Sequence, residues 1–245
     1  MGFIFEQKVT VTKEDVTAAG VLKMSALLHM VQEAAGGHCK VLSLDWDSMC
    51  EKGMFWAVLR HRVQINRLPE ENENLLVQTW PMPTTRTAYP RAVQAVDEKG
   101  NVVFSVVSLW VLMDMQTRAM LLPGKSGVTV EGITRGCELP FPGSLAPCAG
   151  EQSVLWTVTR QDLDVNNHVN NAKYLDHAQV LAGQFGLTHT PKELTVCYLS
   201  EVLLGQQITL KYTLSQEGVL LVDGCRARTD VPDKTERVFA IRLAY

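Results

Sequence analysis

Long apolar runs are missing from this chain. Val102 to Met113 is strongly apolar, but it carries serines and ends at Asp114, short of the about 18 to 20 uncharged residues a membrane helix needs. Excess charge is missing too. With 23 basic against 26 acidic side chains, the formal net charge is −3, which gives neither a nucleic-acid-binding stripe nor a basic tail for a membrane surface. Cys39, Cys50, Cys137, Cys148, Cys197 and Cys225 include no close Cys-x-x-Cys pair with a histidine nearby, so a structural zinc site is not expected. The start, Met1-Gly2-Phe3-Ile4-Phe5-Glu6, lacks a basic stretch followed by an apolar run, and the cysteines are read as thiols of a cytoplasmic protein. There is no Gly-x-Ser-x-Gly elbow, and neither a phosphate-loop nor a dinucleotide fingerprint occurs.

Apolar residues make up 46% of 245, enough for one large core or two of roughly 120 residues each. The order of elements favours two. Gln7–Thr12 alternates like a strand, and Leu22, Ala26, Leu27, Met30, Val31 and Ala34 recur at helical spacing, predicting a helix from about Leu22 to His38. Strands are expected over Met54–Ile65, Asn74–Met82, Thr87–Asp97 and Asn101–Met113, with a turn at Glu98-Lys99-Gly100-Asn101. Ten prolines and glycines between Pro123 and Gly150 read as a linker with at most a short helix. Beyond it the plan returns: a strand over Ser153–Arg160, a polar turn, a helix from about His168 to Ala182, then strands over Lys192–Ser200, Gln206–Ser215, Val219–Thr229 and Arg237–Leu243. The fold class is therefore α+β, with expected domains at 1–123 and 153–245 joined by a linker over 124–152.

An offset of 147 residues lays Glu14 to Val21 beneath Gln161 to His168. Asp15 then matches Asp162, and Leu28 matches Leu175. Thr17, Ala19 and Val21 stand where Asp164, Asn166 and His168 stand. The apolar frame repeats and the reactive groups do not, which assigns chemistry to the second half.

The polar segment Arg160 to Asn171 holds Asp162, Asp164, Asn166, Asn167, His168, Asn170 and Asn171, more than one helix cap requires. Such a cluster at a helix entrance offers backbone N–H groups to a developing oxyanion. His168 can act as an acid or base near neutral pH, or serve only as a capping residue. Glu201, at the end of the apolar strand Leu194–Ser200, is either a general base or nucleophile at the mouth of an apolar slot, or a solvent-facing carboxylate. Cys197 lies inside an apolar run and Cys225 in Asp223-Gly224-Cys225-Arg226; both read as core residues rather than nucleophiles.

Asp162-Leu163-Asp164-Val165-Asn166-Asn167-His168-Val169-Asn170-Asn171, with Tyr174, resembles the signature of acyl-acyl carrier protein thioesterases, the plant fatty-acyl enzymes and their bacterial relatives. Leu27 to Ala35, Trp56 to Leu68, Ser108 to Asp114 and Thr117-Arg118 are similar to that family's first domain. The resemblance implies a double hot-dog fold, each domain an antiparallel sheet wrapped around a central helix. It implies hydrolysis of the thioester between a fatty acyl group and the phosphopantetheine arm of acyl carrier protein. The functional positions it transfers are Asp164, Asn166, His168 and Glu201. A cysteine that some relatives carry just after the glutamate is Val202 here, which favours a mechanism led by the carboxylate.

The implied acyl tunnel is expected to draw on Met24, Leu27, Leu28 and Val31, with Trp56 and Trp110, since each buried methylene is worth about 0.8 kcal/mol and tunnel length discriminates among chains. Acyl carrier protein is acidic, so its docking patch is sought among Arg60, Arg86, Arg91, Arg118, Arg160 and Lys192. No metal or cofactor is expected, because a thioester is already activated. No nucleic-acid or membrane partner is expected, and the chain is read as a monomer or homodimer. The competing readings are a hot-dog acyl-coenzyme A thioesterase, a hot-dog dehydratase, and a non-catalytic acyl-binding protein.

Overall fold

The structure, a computed structural model, describes residues 3–134, 136–150, 152–164, 167–228, 231 and 234–245. It divides into two compact units, Met1–Pro142 and Gly143–Tyr245. Among the described residues no helix is long and apolar enough to cross a membrane.

The first unit contains β1 (Phe5–Thr10), α1 (Met24–Val41), α2 (Trp46–Cys50), β2 (Met54–Ile65), β3 (Asn74–Pro81), β4 (Tyr89–Asp97), β5 (Val102–Asp114), β6 (Met120–Leu121) and α3 (Pro123–Ser126). The sheet order is β1-β3-β4-β5-β2, antiparallel throughout, with β6 paired to β5. The β4–β5 turn forms where the sequence predicts it: Asp97 Oδ1 accepts from the N–H groups of Lys99 and Asn101, and Gly100 takes φ +81°, which a glycine adopts freely. α1 buries Met24, Leu27, Leu28, Val31, Ala34, Ala35 and His38, and packs on β1 and β3. It starts two residues later than its periodicity suggests: Leu22 is in a β-bridge with Val16, with its N–H on Pro69 O. Two elements were not anticipated. α2 is too short for a periodic signal and rests on Asp45, whose Oδ1 caps Ser48 N–H; β6 is a two-residue strand.

The second unit contains β7 (Gln152–Thr157), a 3-10 turn at Arg160–Asp162, α4 (Lys173–Gln184), β8 (Glu193–Tyr198), β9 (Gln207–Leu214), β10 (Val219–Ala227) and β11 (Thr235–Ala244). Its antiparallel order is β8-β11-β10-β9-β7. Tyr174 anchors α4 to this sheet, its ring 4.5 Å from Phe239, 5.7 Å from Tyr198 and 6.1 Å from Trp156. α4 does not begin at His168 as its sequence pattern suggested. It begins at Lys173, since His168 pairs with Leu203 in a β-bridge and Val169 N–H donates to Val202 O.

The proline- and glycine-rich segment is pinned rather than free. Ile133 N–H donates to Pro81 O in the first unit. In the second, Cys148 N–H donates to Asp223 Oδ2 and Arg237 Nη2 to Leu145 O.

Candidate active site

The polar segment folds as a closed corner, and the first unit contains the same corner without the reactive groups. Thr159 N–H and Oγ1 both donate to Asp162 Oδ2 (2.7 and 2.9 Å), as Thr12 N–H and Oγ1 do to Asp15 Oδ2 (2.9 and 2.6 Å). Asp164 N–H donates to His168 O, and Thr17 N–H to Val21 O. Asn167 N–H returns to Asp164 O, and Gly20 N–H to Thr17 O. Leu163 bridges Val169 as Val16 bridges Leu22. Finally Val169 N–H reaches Val202 O as Leu22 N–H reaches Pro69 O, so Leu68 stands where Glu201 stands. The pairs within Thr159–Val169 follow the 147-residue offset from Thr12–Leu22, and the acceptors Val202 and Pro69 on the distal segment are 133 residues apart. The backbone closes with Thr17, Val21 and Leu68, so closure does not require Asp164, His168 or Glu201.

The corner sets His168 beside Glu201. His168 lies on one side of the bridge to Leu203, and Glu201 sits two residues before Leu203. Imidazole Nε2 and carboxylate Oε2 are 3.6 Å apart, with side chains 28% and 48% exposed. That separation is beyond a direct hydrogen bond, and both groups reach solvent. Asp164 Oδ1 accepts from His168 N–H at 3.4 Å, holding the backbone under the imidazole. That N–H is thereby taken. The helix-entrance oxyanion site expected at His168 is not there, because the helix starts five residues later. Asn166 lies outside the described residues.

Residues that sequence reasoning did not single out hold Glu201. Arg226, on β10, donates from Nη1 to Glu201 O (2.7 Å) and Gln206 Oε1 (2.9 Å), from Nη2 to Ser200 Oγ (2.8 Å) and from Nε to Glu236 Oε1 (2.6 Å). Gln206 Oε1 also accepts from Leu203 N–H. One planar guanidinium thus fixes the turn that carries the carboxylate. No local motif marks Arg226, which reaches the turn only through strand pairing. On the α4 side, Tyr198 Oη donates to Asn171 O (3.0 Å), and burial pushes the Tyr198 and Tyr174 phenols well above their ordinary pKa, so both stay protonated.

Thiol chemistry has no footing nearby. Cys197 is buried with its thiol on Gly143 O, Val202 is fully buried, and burial pushes the Cys225 thiol up. Among the described residues no three His, Cys, Asp or Glu side chains gather as a metal-ligand set.

The first unit encloses a cavity of about 210 Å³ beside the C-terminal half of α1. Trp56 and Trp110 line it, together with Trp46, Tyr89, Cys39 and Arg91. Met24, Leu27, Leu28 and Val31 do not. They lie on the N-terminal half of α1, at most 2% exposed, as ordinary core. Arg91 is also misplaced for surface docking. It is 8% exposed, whereas Arg86, Arg160 and Lys192 are on the surface.

These features define a class of protein: two hot-dog units, the second carrying a His–carboxylate pair on a corner that the first keeps bare. Two models of one family match the chain, the acyl-ACP thioesterase N-terminal domain over residues 2–122 and its C-terminal domain over residues 148–236. The chain belongs to the acyl-ACP thioesterase family. A palmitoyl-acyl carrier protein thioesterase from Gossypium hirsutum is 27% identical over 196 residues, covering 71% of this chain and 46% of that protein. The chain therefore spans about half the length of the plant relatives it matches. Among solved structures, an acyl-ACP thioesterase from Bacteroides thetaiotaomicron superposes with a TM-score of 0.87 at 21% identity, covering 98% of this chain and 97% of that one. The 12:0-ACP thioesterase from Umbellularia californica superposes at 0.80, also at 21% identity, covering 98% and 96%. The fold is the double hot-dog.

Proposed function

We propose that this chain hydrolyses the thioester linking a fatty acyl group to acyl carrier protein, releasing the free fatty acid. The observation that carries this reading is the approach of His168 Nε2 and Glu201 Oε2 to 3.6 Å on a corner whose unreactive copy closes identically. Family membership supplies the reaction class.

Glu201 takes a proton from water as the water oxygen bonds to the thioester carbonyl carbon. The carbonyl electrons move to oxygen, and the resulting tetrahedral oxyanion is met by His168 and the Asn166 amide. Collapse breaks the carbon–sulfur bond as His168, entering as the imidazolium, protonates the departing thiolate, and the proton that Glu201 took from water passes to His168 to restore both groups. Asp164 keeps His168 in place through its backbone. The acyl chain is assigned to the tryptophan-lined cavity of the first unit, with Trp56 and Trp110 in its wall. Docking of the acidic carrier protein is assigned to cations among Arg60, Arg86, Arg118, Arg160 and Lys192. A cytoplasmic setting fits six cysteines that stand as thiols.

Thiol release from a panel of acyl carrier protein thioesters, with matched coenzyme A thioesters, tests the reading. The carrier-protein substrates are expected to react faster. Glu201→Gln and His168→Ala are each expected to reduce hydrolysis by roughly 100-fold or more. A folded Glu201→Gln or His168→Ala protein that works at the parent's rate removes the catalytic assignment.

A further inference from the structure

Among the described residues Arg91 is a buried cation without a carboxylate in contact. Its Nη1 contacts His38 Nδ1 (3.1 Å) and Thr79 Oγ1 (3.2 Å), and its Nη2 lies 3.8 Å from Cys39 Sγ. None of these is a carboxylate. His38 is held neutral, its pKa lowered to about 4 by burial and by Arg91 itself, and burial keeps the Cys39 thiol protonated. A guanidinium carries five N–H donors, and these contacts leave some without a strong acceptor. Taking such a charge out of water without a counter-ion is unfavourable.

The cavity that Arg91 lines has a second donor: among the described residues the buried Nε1 of Trp110 has no hydrogen-bond partner. By contrast, Trp56 Nε1 is satisfied by Leu44 O. Arg91 and Trp110 Nε1 only donate, so the ligand end that suits them only accepts. Apart from Gln32 and Asp45, the remaining wall is mostly apolar and aromatic, with Trp46, Trp56, Tyr89, Leu44 and Val130. Asp45 also lines it, but Ser48 N–H engages its carboxylate, and its neighbour Trp46 is half exposed, which places that pair at the mouth.

We propose that this cavity binds an amphipathic monocarboxylate, its apolar body among the tryptophans and its carboxylate on Arg91 with help from Trp110. The inference deepens the thioesterase reading and rests on it for the source of the ligand: either a released fatty acid or the far end of an acyl chain that itself terminates in a carboxylate. Charge-assisted, bidentate geometry is what an arginine offers such a group.

The test titrates the whole protein with octanoate and with 1-octanol, following tryptophan fluorescence from the cavity wall. Octanoate is expected to bind about tenfold or more tighter than octanol, the size of a charge-assisted hydrogen bond. Arg91→Met is expected to abolish that preference, and Trp110→Phe to reduce it. Equal binding of the two ligands to the parent overturns the proposal, even if Arg91→Met does not fold. So does a preference that survives in folded Arg91→Met.

Hydrolysis of matched thioesters with methyl or carboxyl chain ends then separates the sources. A carboxyl-end preference that Arg91→Met removes assigns the group to a substrate. Equal hydrolysis with inhibition by octanoate assigns it to the product. Carboxylate-selective binding without any hydrolysis leaves this inference standing and removes the catalytic reading. Hydrolysis without carboxylate-selective binding does the reverse.

Discussion

Asn167 holds the same left-handed backbone corner as Gly20, with φ at 62° in the asparagine and 79° in the glycine. The two residues are 147 positions apart, and each returns its N–H to the carbonyl three residues earlier. Asparagine and glycine are the residue types that adopt this conformation with least strain. Asn167→Gly is therefore expected to keep stability within about 0.5 kcal/mol, and Asn167→Val to lower it by about 2 kcal/mol. Urea unfolding of the two variants checks this. Equal loss in both would mean that the asparagine side chain, not its backbone angle, holds the corner.

Arg226 joins Ser200, Glu201, Gln206 and Glu236 through one guanidinium. It is a positioning residue, acting through Glu201. Arg226→Met is expected to lower kcat by roughly tenfold to 100-fold through misplacement of the carboxylate, with KM nearly unchanged. Arg226→Lys should recover little, because a single ammonium cannot span four acceptors in a plane. Steady-state kinetics decide: a rise in KM at constant kcat would place Arg226 in substrate binding instead.

Val202 is fully buried and lends its carbonyl to Val169 N–H, while the neighbouring Glu201 faces solvent. Val202→Cys should leave hydrolysis within about twofold of the parent, and adding it to Glu201→Ala should restore nothing, since a buried thiol resists ionisation. Labelling of native protein with a thiol reagent would leave position 202 untouched. Rescue by the double variant would revive a cysteine mechanism.

His38 and His61 are both buried, and burial lowers their pKa values from 6.5 to about 4 and about 3. For His38 the charge of Arg91 adds to the effect. The folded protein keeps both imidazoles neutral, whereas the unfolded chain protonates them near 6.5. Their contribution to stability is complete above that pH and disappears as pH falls toward 4 and 3. The loss should approach roughly 2–3 kcal/mol per pH unit between about pH 6 and pH 4. Unfolding midpoints across that range, with imidazole titration by NMR, test it; either imidazole titrating near 6.5 in the folded protein refutes the assignment.

Much of the fold could be read from local sequence. β2 runs over Met54–Ile65 as its apolar pattern predicts, and the β4–β5 turn follows from Asp97 and Gly100. The duplication was legible in Asp15 and Asp162, and the corner hydrogen bonds bear it out. The start of α4 is not legible in the sequence, because His168 and Val169 pair their backbones with Leu203 and Val202, more than 30 residues away. Hydrophobic periodicity carries no record of such a bridge. The cavity wall is not legible in the sequence for a related reason. Helical spacing marks a stripe to be buried without saying which turns pack tightly and which border empty space, so Met24, Leu27, Leu28 and Val31 were indistinguishable from Ala35 and Cys39.

The sequence by itself determined the repeated plan, the half that carries the reactive groups, and the family, because these rest on residue types at fixed spacing. Only the tertiary structure decided that Glu201 approaches His168, that Arg226 holds Glu201's turn, and that Arg91 is buried with no carboxylate in contact among the described residues. Those relations are made by strand pairing and packing between distant segments, where proximity depends on the path of the backbone rather than on neighbours in the chain.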